Sequence, residues 1–227
     1  LPQFAHMSMT LGPDKTRLSK RHGATSVRAY RDEGYLPEAF FNYISLLGWG
    51  TENSQDIFSH EELINAFSLQ RCQKASAVFD PNKLLWMNGY YIRRTTPARI
   101  LELSKPFLVK AGVIDVNPSP EQSAYLEKAI ALEQEKIKLL KEVPEHISFF
   151  VKEPEYEETV VNKYLTETGK KILLEVLSAL EKCPEWKIAC LEEVVRQFCE
   201  EMGYKPADVF HPLRVAVSGK TKGPGLF

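Results

Sequence analysis

"LPEAFFNYISLLGWG", residues 36–50, decides the fold class. Pro37 fits the first position of a helix, where its missing N–H removes nothing the helix would use. Ala39, Phe40, Tyr43, Ile44 and Leu47 then recur at three- and four-residue spacing, and Gly48 supplies the stop. The same construction repeats outward along the chain. Ser26 caps a short helix that ends at Gly34, and "SHEEL" (59–63) carries a capping box, Ser59 with Glu62. "FDPNKLLWMNGYYIRR" (79–94) uses Asp80 as cap with Pro81 in the first turn, and Thr96–Pro97 opens a helix that runs to Gly112. At "SPEQ" (119–122) Ser119 caps, Pro120 opens and Gln122 completes a second box. This longest helix is expected to run to the Pro144 boundary, because proline disfavours helix in the residue before it. Helices at 166–182 and 187–202 flank "EKCPEW", and a last one covers 206–219. Only residues 1–11 read as extended, too few to make a sheet. The expectation is an all-α chain whose helices regroup near 93–97, 113–119 and 151–155, with no repeat of fixed period. Phe40, Phe41, Trp86, Phe149, Phe150, Trp186 and Phe198 are assigned to cores on helical spacing.

The chain has 227 residues, 44% of them hydrophobic, enough for one large or several small cores. Its net charge of −1 conceals an uneven distribution. Residues 1–31 hold six Lys and Arg against Asp14, net +5, and residues 203–227 hold four against Asp208, net +3; the remainder therefore carries −9. Basic ends on an acidic body point to local anionic contacts. Cys72, Cys183, Cys190 and Cys199 form no CxxC pair and have no His in zinc-finger spacing, which favours free thiols over zinc or a disulfide framework. No apolar run reaches the ~18 residues of a membrane span. "LPQFAHMSMT" has neither an initial Met nor the form of a signal peptide.

Known chemical signatures are scarce. There is no GxxxxGK[ST], GxGxxG, GxSxG, HExxH or EF-hand loop, and His6, His22, His60, His146 and His211 are scattered, each read as a surface or capping residue. What remains is "DKTRLSKRHGATSV" (14–27), in which Lys15, Arg17, Lys20 and Arg21 crowd seven positions around one apolar residue, Leu18. Ammonium groups, guanidinium forks and the Ser19 hydroxyl together suit a phosphate-bearing ligand; a solvated basic loop is the plain alternative.

"RLSKRHGATS" (17–26) resembles the KMSKS-type signature of class I aminoacyl-tRNA synthetases, in the KLSKR form of glutamyl-tRNA synthetases. Arg17 stands where many members have Lys, while Ser19, Lys20 and Arg21 match directly. "EGYLPEAFFNYISLLGWG", "VFDPNKLLWMNGYYIR", "LLKEVPE" and "HPLRVAVSGKTKGPGLF" resemble further landmarks of the bacterial family, in order and over essentially the whole chain. The resemblance implies the end of a catalytic domain with the signature loop (1–26), a stem-contact helical domain (27–96) and an anticodon-binding helical region (97–227) with a break near 150. It implies that Lys20 and Arg17 contact ATP phosphates during glutamyl-adenylate formation, with Ser19 and Arg21 in the same nucleotide site.

It further implies tRNA contacts from Lys83, Lys136, Arg214, Pro224 and Leu226. Lys136 stands where glutamate-specific members carry Arg and members that also charge glutamine tRNA carry a neutral amide, so charging of tRNA(Gln) stays open. Gly223 stands where the family often has Thr. No H-x-G-H occurs, so the HIGH motif and its sheet are missing. The chain, cut at both ends, is expected to be an inactive fragment of glutamate–tRNA ligase, with no cofactor of its own. The intact enzyme would use ATP with Mg, glutamate and tRNA(Glu) as a cytoplasmic monomer without membrane contact. A stand-alone helical interaction module with a basic loop is the alternative reading.

Overall fold

The computed structural model describes residues 4–23 and 26–227, and Lys20 by its backbone alone. Among these residues there is no strand, only two isolated bridges, and the chain is all-α. It divides into two compact units, residues 1–144 and 145–227.

The first unit contains α1 (Val27–Asp32), α2 (Pro37–Ser45), α3 (His60–Ala66), α4 (Pro81–Arg94), α5 (Pro97–Lys110) and α6 (Pro120–Glu133). Their starts are local chemistry. The side-chain oxygens of Ser26, Ser59, Asp80, Thr96 and Ser119 each accept from a first-turn amide, and the boxes with Glu62 and Gln122 are complete. Helix α2 packs on α4, burying Tyr43 against Phe79, Leu84 and Met87, while Trp49, Phe58 and Leu63 form a smaller neighbouring core. Helices α5 and α6 pack together, and Ile100, Leu101 and Leu108 of the first and Leu126 and Ile130 of the second are essentially removed from water.

One expectation fails here. Helix α6 stops at Glu133, well short of Pro144. The segment that follows has tertiary work that a helix could not do. Gln134 Nε2 donates to the carbonyls of Ile92 and Thr95 at the C-terminal end of α4, the first of which also accepts the Thr95 amide. The Lys138 carbonyl accepts from Asn88, and the Leu140 amide donates to the Gly34 carbonyl at 2.9 Å. A one-turn 3-10 helix, Leu140–Glu142, then leads into α7 (Val143–Ile147), within which the division of units falls.

The second unit consists of a 3-10 turn, Ser148–Phe150, with α8 (Glu158–Tyr164), α9 (Glu167–Leu180), α10 (Ile188–Met202) and α11 (Pro206–Ser218). Its core joins Ile172 and Val176 of α9 to Val195, Phe198 and Cys199 of α10 and Val209 of α11. Here too a sequence reading is corrected: the sulfurs of Cys183 and Cys190 meet across the α9–α10 turn, with Cα atoms 6.8 Å apart, leaving Cys72 and Cys199 as the free thiols. Three aromatics assigned to cores are on the surface instead, Phe41 (39% exposed), Trp86 (49%) and Trp186 (74%). Phe41 and Trp86 are each one position off a buried stripe, a turn of about 100° that carries a side chain out of a core.

Candidate nucleic-acid interface and signature loop

Residues 11–22 fold on themselves. Leu11 bridges to Arg17 in antiparallel sense, and Leu18 donates its amide to Thr10. The turn between closes with Gly12 N–H to the Thr16 carbonyl at 2.7 Å and places Lys15 at φ 61°, the left-handed region. Asp14 is the hub of this turn. Its Oδ1 accepts from the Thr16 amide (3.0 Å) and hydroxyl (2.7 Å), and its Oδ2 stands 3.5 Å from Arg21. The Thr16 hydroxyl foremost, then the Thr16 amide and the His22 ring, hold the Asp14 carboxyl well below the usual carboxylate range although its side chain is half exposed. Arg21 also donates to the Thr16 hydroxyl at 2.6 Å. The loop is pinned to the first unit by two backbone bonds, Leu11 N–H to the Ala77 carbonyl and Phe79 N–H to the Leu11 carbonyl, both 2.8 Å.

Of the loop residues named from sequence, Arg17 and Arg21 are exposed and Ser19 is half-buried. Lys20 begins a 3-10 turn, Lys20–His22, and its side chain lies outside the described residues. The sequence reading missed His22. Its ring is 10% exposed, its Nδ1 accepts the Ser19 amide at 3.0 Å, and its Nε2 stands 3.2 Å from Asp14 Oδ1 without the alignment of a hydrogen bond. Nothing in the linear pattern marks it, since its partners come together only when the loop closes.

Of the residues proposed for tRNA, Lys83 and Lys136 belong to the first unit and Arg214, Pro224 and Leu226 to the second. Lys83, in the first turn of α4, is held by Asp56 at 2.6 Å. Lys136 follows α6 and binds the buried carboxylate of Glu133 at 2.8 Å. Both ammonium groups therefore keep a carboxylate partner while remaining some two-fifths exposed. In the second unit, α11 and the C-terminal turn do come together: Arg214 Nη1 donates to the Pro224 carbonyl at 2.5 Å, and Phe227 packs edge-on against Phe210. Pro224 and Leu226 are half-buried in this turn. A Cβ at Gly223 would lie 3.5 Å from Arg214 Nη1, ordinary contact, so the small residue leaves the guanidinium accessible without being sterically required.

Among the described residues no group of three or more His, Cys, Asp or Glu could hold a metal ion, and no helix is long and apolar enough to cross a membrane. The donors of the signature loop fit phosphate oxygens rather than a cation.

Comparison with known proteins agrees with this geometry. Residues 1–86 match the catalytic domain of class I (E and Q) tRNA synthetases, and residues 99–227 match the anticodon binding domain. The whole chain is 44% identical to a glutamate–tRNA ligase of Moorella thermoacetica and 44% identical to glutamate–tRNA ligase 1 of Caldanaerobacter subterraneus subsp. tengcongensis, covering 47% of each. It also superposes on the crystal structure of a glutamate tRNA ligase from Elizabethkingia meningosepticum, with TM-score 0.83 and 30% identity, over all of this chain and 47% of that one. The chain thus spans about half the length of the curated relatives it matches. With more than half of its residues in the second match, the chain belongs to the anticodon binding domain family.

Proposed function

We propose that this chain is the tRNA-gripping part of a glutamate–tRNA ligase, the enzyme that joins glutamate to tRNA(Glu) through a glutamyl-adenylate formed from ATP. The observation that carries this is the pairing, in one chain, of a self-folded basic loop with an all-helical anticodon-binding region whose Arg214 is seated on the C-terminal turn. Residues 1–26 would end the catalytic domain, 27–96 would follow the inner corner of the tRNA, and 97–227 would hold the anticodon loop.

In this reading Arg17, Ser19, Lys20 and Arg21 contact the phosphates of ATP. Cations aimed at oxygens that gain charge as pyrophosphate departs stabilise the transition state without moving a proton. Mg would arrive with the nucleotide, since the described residues of the loop supply donors for phosphate and no carboxylate cluster for a metal. Arg214, Pro224 and Leu226 would read unstacked anticodon bases by edge hydrogen bonds and packing. Lys83 and Lys136 would approach tRNA while balanced by Asp56 and Glu133. Such pairs give up part of their attraction when a phosphate replaces the carboxylate, so their contribution to affinity is smaller than that of Arg214.

The test is binding of tRNA(Glu) transcript to the purified chain as salt is varied. Neutralising about four phosphates of a largely single-stranded loop gives a log–log slope of about −3, from ~0.7 per phosphate. No binding at low salt overturns the reading and favours a helical module that meets a protein partner. The chain alone is expected to give no glutamate-dependent ATP–pyrophosphate exchange. In the full-length enzyme, a cytoplasmic monomer in this reading, Lys136→Gln should raise charging of tRNA(Gln); equal charging by both forms removes Lys136 from discrimination.

A further inference from the structure

We propose that His22 is the positioning residue of the signature loop, a latch whose Nδ1 holds Ser19 and whose Nε2 faces the Asp14 that holds Arg21 before any ligand arrives. Three residues, Ser19, Asp14 and Gly12, converge on the ring. Nδ1 accepts the Ser19 amide at 3.0 Å, so this nitrogen must be the unprotonated one and the proton belongs to Nε2. Nε2 faces the carboxylate of Asp14 at 3.2 Å, and that carboxylate organises Thr16 and Arg21. The ring lies on Gly12, where an added Cβ would be 2.9 Å from Nε2 and 3.0 Å from both Cδ2 and Cε1. Gly12 is therefore a seat for the imidazole, and the chain reversal of residues 12–16 and the 3-10 turn of residues 20–22 are clamped together through one side chain.

A loop this polar has little apolar surface to hold it, although Leu18 packs against a core. Its order must come from hydrogen bonds that exclude alternatives, and the His22–Ser19 bond ties the half-buried serine of the signature to the residue following its last cation. Pre-ordering matters for a phosphate site because each flexible cation would otherwise lose its freedom on binding. This inference deepens the reading of residues 17–21 as phosphate-facing and rests on it for its consequence, but the latch itself is measured without nucleotide.

The experiment uses the whole chain and four variants. Asn places an amide oxygen near the position of Nδ1, whereas Gln reaches the position of Nε2 and cannot replace Nδ1. In the wild type, long-range 1H–15N NMR should find Nε2 protonated and Nδ1 bare at neutral pH, and the Ser19 amide should exchange slowly. His22→Asn should keep that protection. His22→Ala and His22→Gln should each speed Ser19 exchange by about tenfold, the worth of one hydrogen bond. Gly12→Ala, which unseats the ring without altering it, should do the same. The opposite tautomer, rescue by Gln rather than Asn, or unchanged exchange in the Ala variant would overturn the proposal. If the latch behaves as stated but His22→Gln leaves the KM for ATP unchanged in a full-length enzyme, His22 stands as a latch and the phosphate reading of the loop falls instead.

Discussion

Arg214 and Pro224, ten residues apart, are joined by a hydrogen bond from the guanidinium Nη1 to the carbonyl oxygen at 2.5 Å, which folds the C-terminal turn back onto α11. The bond uses one of five guanidinium donors and leaves the rest of the fork to a ligand. Arg214→Ala should therefore weaken tRNA binding by about 10- to 100-fold, the loss of a charge-assisted hydrogen bond together with the turn it organises. Arg214→Lys restores the charge but not the fork, so it should recover the salt slope and not the affinity. Filter binding at fixed and varied salt reads both. An Ala variant that binds like the wild type would assign Arg214 to the turn alone.

Two glycines with the same backbone angle give a controlled comparison. Gly203 and Gly219 each end a helix at φ 70°. At Gly203 an added Cβ meets nothing within 4 Å, whereas at Gly219 it would lie 2.4 Å from the carbonyl oxygen of Glu155. Gly203→Ala should cost about 1 kcal/mol, the left-handed penalty by itself. Gly219→Ala should cost more than twice that, because backbone must move as well as twist. Urea denaturation of the two variants separates them, and equal losses would show that the segment around Glu155 yields freely.

How much of this was legible depended on how local the physics is. Ser59 with Glu62 and Ser119 with Gln122 are capping boxes in the sequence and in the structure, because both partners lie within one turn. The end of α6 was not legible, since the groups that draw residues 134–140 out of the helix are Ile92, Thr95, Asn88 and Gly34, all far away in sequence. Trp86 and Trp186 were assigned to cores because aromatic type suggests burial, while burial itself is decided by which helix face finds a neighbour. The basic loop was legible as chemistry, but its internal order was not. Gly12, Asp14 and His22 become one unit only through a turn whose left-handed residue is Lys15, which no glycine or asparagine announces.

Asn88 shows what a buried amide does between elements. It is fully buried on α4; its Oδ1 accepts the Leu36 amide at 2.8 Å and its Nδ2 donates to the Lys138 carbonyl at 2.5 Å, so it joins the start of α2 to the segment after α6. Asn88→Ala would strand a backbone donor and a backbone acceptor, each worth about 1–3 kcal/mol when left buried. Asn88→Asp keeps the acceptor for Leu36 but sets a carboxylate against a carbonyl, and should be at least as damaging as Ala. Chemical denaturation of both variants is the measure. An Asp variant as stable as wild type would mean the Lys138 carbonyl has another donor.

Tyr43 makes the fold sensitive to alkali in a defined window. Its hydroxyl donates to the Asp80 carbonyl at 3.0 Å and accepts the Asp80 amide at 2.6 Å, tying α2 to the residue that caps α4. Burial, foremost, pushes the phenol up to about 12, with the hydrogen bond at Asp80 opposing it. The folded state thus holds the phenolic proton more tightly than the unfolded chain, where it leaves near pH ~10. Stability from this group is complete below about pH 10 and is lost as the pH rises from there through about 12. Tyr43→Phe should remove that part of the alkaline dependence. It should also cost about 1–3 kcal/mol at neutral pH, because the Asp80 amide loses its acceptor at the helix start. Denaturant midpoints of wild type and Tyr43→Phe between pH 7 and pH 12 test both statements, and parallel curves across that range would rule Tyr43 out as the source.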